Sequence, residues 1–216
     1  MKHKLNEQER QHLDRRVAEV EKKTGAQIVI AVVERSDIHA ELPWKAFALG
    51  ASLGGLAVTA LSLLLPGAFS SSSVLFAVTA VLAAGAACSL LCVRLPRFAR
   101  LFLDANAAEV EARQYAESLF LSREVFATRD RTGIVLCISL FERQVVVLPD
   151  TGLGRRLGAD DLQRVVARMV NSVANGRAAA ALEEGLTGLE RALARTAPAS
   201  SGGDELPDGI VEEDGP

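Results

Sequence analysis

Residues 129–153 read "RDRTGIVLCISLFERQVVVLPDTGL". Within this stretch "GIVLCISL" (133–140) is an unbroken apolar run, the pattern of a strand covered on both faces. "QVVVLP" (144–149) is a second, β-branched run. Only "FER" separates the two, so they pair as a β-hairpin. The loop that follows carries Gly152, Gly154 and Gly158. Their spacing is GxGxxxG, with Leu157 where a dinucleotide loop needs its third glycine. The loop also leaves the second arm of a hairpin, not the first strand of a βαβ unit. A phosphate cradle is therefore not indicated.

Working outward, "AQIVIAVV" (26–33) is another continuous apolar strand. Before it, residues 6–24 form an amphipathic helix: Asn6 caps it, Glu9 completes a capping box, and Leu13, Val17 and Val20 make one stripe. Gly25 ends it. Helical spacing returns with Leu101, Ala105, Ala108, Ala112, Tyr115 and Leu119. Beyond the hairpin, Leu162, Val165, Val166, Met169, Val170 and Val173 mark a helix capped by Asp160 or Asp161 and stopped at Asn175-Gly176. Leu182, Leu186, Leu189 and Leu193 mark the last one.

Between the first strand and the helix at 101 lies a different kind of sequence. From Ala46 to Val93 there is no charged residue. Residues 46–66 and 74–93 are each long enough to cross a bilayer as a helix, and "GAFSSSS" (67–73) is a turn that can be solvated. The positive-inside rule takes Lys45, Arg94, Arg97 and Arg100 as cytoplasmic flanks, so both soluble parts lie on that side. Trp44 and Phe98 suit the interface, and the three arginines suit anionic lipid head groups. Gly50 and Gly54 form a GxxxG, which either packs the two spans together or drives homo-oligomerisation.

The predicted order is α-β-[membrane hairpin]-α-β-β-α-α. Neither soluble part buries a core alone, so residues 1–45 and 94–195 join as one α/β domain around the inserted hairpin 46–93. Residues 196–216 hold six acids and no base, and their composition predicts a disordered acidic tail. The net charge of −3 includes that tail, and no basic run resembles a nucleic-acid footprint. Cys88, Cys92 and Cys137 lie in apolar runs and make neither a disulfide framework nor a zinc spacing. The N-terminus, "MKHKLNEQERQHLDRR", is not a signal peptide.

Three pieces, "TGAQIVIAVV", "RDRTGIVLCISLFERQVVVLPDTGL" and "ANGRAAAALEEGLTGLERAL", resemble the TPM domain family, which includes thylakoid-lumen phosphatase-like and photosystem repair factor-like proteins. The chain looks most like a bacterial subgroup with a membrane hairpin inserted after the first strand. The resemblance covers residues 5–40 and about 101–195. It implies a three-layer α/β/α sandwich and an integral protein of a bacterial inner membrane. It also implies divalent-cation binding, Ca²⁺ or Mg²⁺, and a phosphatase activity proposed for some members. Such a cation needs several carboxylate oxygens. The acids carried over are Asp130, Asp150, Asp160 and Asp161. Leu148 and Gly154 occupy two positions where the wider family is acidic.

Arg155 and Arg156 lie beside those acids and suit a phosphate or a carboxylate partner. Glu142–Arg143 reads as hairpin-turn structure. His3, His12 and His39 have no matching Ser or Cys motif, and no HExxH, P-loop or nucleophile elbow occurs. Neither span holds an ionisable residue that would suggest transport. Two functions follow as expectations. One is a non-catalytic accessory or scaffold that engages a membrane-protein partner; the other is a metal-dependent phosphatase acting on phosphate esters.

Overall fold

The computed structural model describes residues 5–65, 73–195 and 210–213. The chain divides into two compact units. One is Met1–Asp37 with Ala105–Pro216; the other is Ile38–Asp104.

In the first unit, α1 (Glu7–Thr24) begins with the expected capping box: Glu9 N donates to Asn6 Oδ1 at 2.7 Å, and Asn6 N donates to Glu9 Oε2 at 2.8 Å. Gly25 closes the helix in the left-handed region, φ 68°, which costs glycine little. The strands are β1 (Gln27–Val33), β2 (Gly133–Ser139) and β3 (Gln144–Pro149). β1 and β2 are parallel, with Gln27 opposite Gly133 and Val33 opposite Ser139. β2 and β3 form the antiparallel hairpin, turning through Arg143 at φ 56°. The helices of this unit are α5 (Ala105–Ser122), the short α6 (Thr151–Gly154), α7 (Ala159–Ala174) and α8 (Ala178–Leu193).

Every residue of β1 and β2 is buried, as continuous apolar strands require. Alternate side chains go to opposite faces. Ile28, Ile30, Val32, Ile134, Leu136 and Ile138 pack with Leu13, Val165, Met169, Leu182 and Leu186 from α1, α7 and α8. Val29, Ala31, Val33, Val135 and Cys137 pack with Ala116 and Leu119 of α5. The fold is thus mixed α/β, with apolar clusters on both faces of one sheet. Each side chain as large as Leu136 or Ile134 contributes roughly 1.5–3 kcal/mol by its burial.

Three expectations are corrected. A fourth strand, β4 (Val211–Glu213), lies inside the stretch read as a disordered tail. It pairs in parallel with β1 and completes the order β3-β2-β1-β4. Ile210 and Val211 are buried, and that apolar pair outweighs the surrounding composition. The rest of the tail lies outside the described residues. Second, α7 is capped by Gly158, with Asp160 and Asp161 inside its first turn. Third, α5 starts at Ala105. Leu101 belongs to a 3-10 turn (Arg100–Phe102) and is exposed.

The second unit holds α2 (Glu41–Leu64), α3 (Ser73–Arg94) and α4 (Pro96–Ala99). It is wider than the charge-free stretch because helices continue past the apolar residues. α2 starts at Glu41, and Leu42 and Ala46 are buried. After Arg94, Phe98 and Phe102 pack edge to face at 5.3 Å, and Lys45 Nζ donates to Phe102 O at 3.4 Å. Residues 38–45 and 94–104 therefore go with the helices, not with the α/β part. Gly50 serves the hairpin itself: a Cβ there would meet Ala84 O at 2.6 Å and Cys88 Sγ at 2.8 Å. The loop expected at 67–73 lies almost wholly outside the described residues.

Candidate functional site

Two of the acids singled out from sequence, Asp130 and Asp150, sit where β2 begins and β3 ends. Asp150 is buried and caps α6: its Oδ1 accepts from Thr151 N at 2.6 Å. Its Oδ2 lies 2.8 Å from Arg131 Nε. Its backbone N donates to Gly133 O at 2.8 Å, which ties the loop to the start of β2. Gly152 is pressed against the turn at 130–131, so any Cβ there would collide with Asp130 O. Asp130 itself is exposed. The sequence thus builds a compact corner in which one carboxylate is capped and ion-paired.

The remaining residues of that loop serve helix ends. Arg156 donates through Nη1 and Nη2 to Thr24 O at 3.4 and 3.3 Å, closing the C-terminal end of α1. Arg155 is exposed beside it. Asp161 Oδ1 pairs with Arg164 Nη1 at 3.0 Å, and Asp160 is exposed in the same turn. Among the described residues, no three of Asp130, Asp150, Asp160 and Asp161 bring carboxylate oxygens within 4.8 Å of one another. Asp130 and Asp150 share a corner through the backbone; Asp160 and Asp161 belong to α7.

A different polar group lies at the other end of the sheet, where β1 and β2 finish. Glu142, in the β2–β3 turn, is buried. Its Oε1 accepts from Ser36 N at 3.1 Å, and its Oε2 accepts a short hydrogen bond from Ser139 Oγ. The segment after β1 is thereby fastened to the hairpin turn, and Arg35 lies over the Phe141 ring at 4.7 Å. Burial, and then the Glu142 charge, push the Cys137 thiol up to about 12. Next along the chain, Asp37 brings a carboxylate oxygen within 4.8 Å of one from Glu111 on α5. His39, in the helical unit, is buried at φ 50°, with Nδ1 3.9 Å from Glu41 Oε1.

The geometry therefore divides the acids between two sheet ends. Crevices outside the carboxyl ends of parallel strands are where open α/β sheets bind ligands. Asp37, Glu111 and Glu142 lie at that end, and sequence reading missed the first two. Their signal was weak: Asp37 follows an apolar strand by four residues, and Glu111 looks like any helix-surface acid.

Comparison with known proteins gives a family match over part of the chain and a fold likeness over most of it. A family model described as "TPM domain" matches residues 100–192. Over residues 100–192 the chain is thus similar to the TPM domain family. The NMR structure of the BA42 protein from the psychrophilic bacterium Bizionia argentinensis is similar in fold, with a TM-score of 0.57 at 13% identity, covering 96% of this chain and 94% of that one. No curated protein matches the sequence.

Glu111, Asp130, Glu142, Asp150, Asp160 and Asp161 all fall within the matched TPM domain residues, whereas Ser36 and Asp37 precede them. The part of the resemblance at 5–40 is likewise outside the match. Chemically, the Asp37–Glu111 pair offers hard oxygen donors of the kind Ca²⁺ and Mg²⁺ take, with waters completing the shell. Glu142 is already satisfied by two donors and acts as a clamp.

Proposed function

We propose that this is a membrane-anchored TPM-domain protein that serves as an accessory or scaffold for a membrane-protein partner, without catalysis of its own. The observation that carries the reading is the second unit. Glu41–Leu64 and Val74–Arg94 are long and apolar enough to cross a membrane. Their Leu49, Leu53, Leu56, Leu75, Leu82 and Leu90 point outward and are exposed. A core helix of a soluble protein would bury such residues; a bilayer covers them instead.

In this reading Lys45, Arg94, Arg97 and Arg100 lie at the cytoplasmic face of a bacterial inner membrane, with exposed Trp44 at the interface. The lipid bilayer is then the first partner. The α/β unit is read as the three-layer α/β/α sandwich of the family, supported by the clusters on both sheet faces. The engaged state of Asp150 and Arg156 supports the non-catalytic part. Single cysteines placed at 67–73 test the topology. Labelling is expected only from the side opposite the cytoplasm, and cytoplasmic labelling overturns the orientation. Recovery of one membrane protein with the intact chain, and no hydrolysis of phosphate esters, is the expected biochemical result.

A second reading has a specific observation behind it. The matched family is named for a phosphatase, and Asp37 with Glu111 supplies two carboxylates at the ligand-binding end of the sheet. In that reading Asp37 and Glu111 would hold Ca²⁺ or Mg²⁺, which would supply Lewis-acid polarisation of a phosphoryl oxygen. A rise in melting temperature on adding either cation, lost in Asp37→Asn but kept in Asp150→Asn, would favour this reading and move the site away from the aspartates of 130–161.

A further inference from the structure

β1 would be an edge strand were it not for three residues from a remote part of the chain. Among the described residues, β4 pairs with β1 at Ala31, Val32 and Val33, through Val211, Glu212 and Glu213. Ile210 packs into the apolar cluster on one sheet face and Val211 into the cluster on the other. Two apolar sockets thus flank the edge of β1, as in sites that recognise an added strand by its alternating side chains. α1 contributes a backbone clamp: Arg10 Nη2 donates to Ile210 O at 2.8 Å. Any peptide offers such a carbonyl, so the clamp does not require this particular sequence.

The resident strand fits imperfectly. Glu212 Oε1 is buried without a hydrogen-bond partner among the described residues, and an unmet buried acceptor costs free energy. A strand with the same two aliphatic residues and an uncharged residue in place of Glu212 would sit better. We propose that the outer edge of β1 is a strand-addition site for an extended segment of another protein, carrying two adjacent aliphatic residues followed by an uncharged polar one. Residues 210–213 are its resident plug. A covalently attached strand competes at a high effective concentration, so the edge is closed to weak binders and opens to a matched one. This goes beyond the scaffold reading and stands whether or not the helices lie in a bilayer.

The test uses the full chain in detergent and a chain lacking 210–216, with fluorescein-labelled peptides read by anisotropy. The probes are DGIVEEDG, the same peptide with Glu212→Gln, and a Val211→Asp control. The truncated chain is expected to bind DGIVEEDG roughly a hundredfold tighter than the intact chain does. The Glu212→Gln peptide should bind tighter still, and the control not at all. Equal binding by the two chains, or none by the truncated one, overturns the proposal. So does a truncated chain that has lost its fold, because β4 would then be an integral strand. Hydrogen exchange on the intact chain gives a readout free of truncation. Residues 210–213 are expected to exchange at least about a hundredfold faster than β2, and equal protection overturns the plug.

Discussion

Arg131 Nε lies 2.8 Å from Asp150 Oδ2, and the pair is lopsided: the aspartate side chain is 2% exposed, the arginine 47%. Asp150 also caps α6 through Thr151 N. Losing such a cap costs about 1 kcal/mol, and an ion pair with a half-exposed partner adds at most about 1 kcal/mol. Asp150→Ala is therefore expected to lower the melting temperature of the α/β unit by roughly 2–8 °C. Asp150→Asn keeps the acceptor for Thr151, so its smaller loss in the same thermal scan isolates the ion pair. An Asp150→Ala melt that matches wild type removes the structural reading of this residue.

Glu190 accepts from Lys23 Nζ at 2.8 Å and from Arg16 Nη2 at 2.6 Å. These two bonds, Lys23 first, hold its carboxyl below the usual range. A lowered carboxylate contributes stability above its unfolded value of about 4.3 and loses it as pH falls through the folded value. Arg16, raised by the same contact, stays charged throughout. Glu190→Gln should therefore lower stability at neutral pH and flatten its decline below pH ~4.3. Urea midpoints measured from neutral pH down into the acid range check the sign.

Cys137 sits in the middle of β2, its thiol pushed up to about 12 by burial and by Glu142. A thiol held neutral is a poor nucleophile. Maleimide at neutral pH is expected to leave Cys137 unmodified in the folded chain and to modify it once urea opens the sheet. Mass spectrometry of the labelled peptide decides, and fast labelling in the native state would contradict the burial.

Gly50 and Gly55 separate packing from composition within α2. A side chain at Gly50 meets Ala84 and Cys88 of α3, whereas nothing lies within 4 Å of a Cβ at Gly55. Gly50→Leu is expected to cost about 1–3 kcal/mol of hairpin stability, and Gly55→Leu close to nothing. Thermal unfolding of both variants in one detergent makes the comparison.

What sequence could reveal here was whatever is set locally. Asn6 and Glu9 announce a capping box because both partners lie within one turn, and Gly25 announces the helix end for the same reason. β1, β2 and β3 were legible because burial on two faces leaves a run such as "IVLCIS" with no polar interruption. β4 was not, because its partner Ala31 is far away in sequence and only Ile210 and Val211 mark it among acids. The roles of the acids are hidden for a similar reason, because their partners come from elsewhere in the chain. Asp150 and Asp160 stand out beside glycines and arginines, yet the structure uses Asp150 as a cap and an ion-pair partner. Glu142 looks like an ordinary turn residue until the left-handed Arg143 folds the hairpin and Ser36 arrives from the segment after β1.

The pairing of β1 with β2 also sets an order of events during synthesis. Gln27 cannot meet Gly133 until both apolar helices have left the ribosome, because they lie between the two strands in the chain. The N-terminal helix and β1 must wait, unpaired, while α2 and α3 find their surroundings. β2 is made after both helices, and β4 comes after everything else described. A chain stalled before residue 133 would display a bare apolar strand beside two apolar helices. Assembly of the β1–β2 pair thus follows synthesis of the whole hairpin, a long-range closure that comes late in the making of the chain.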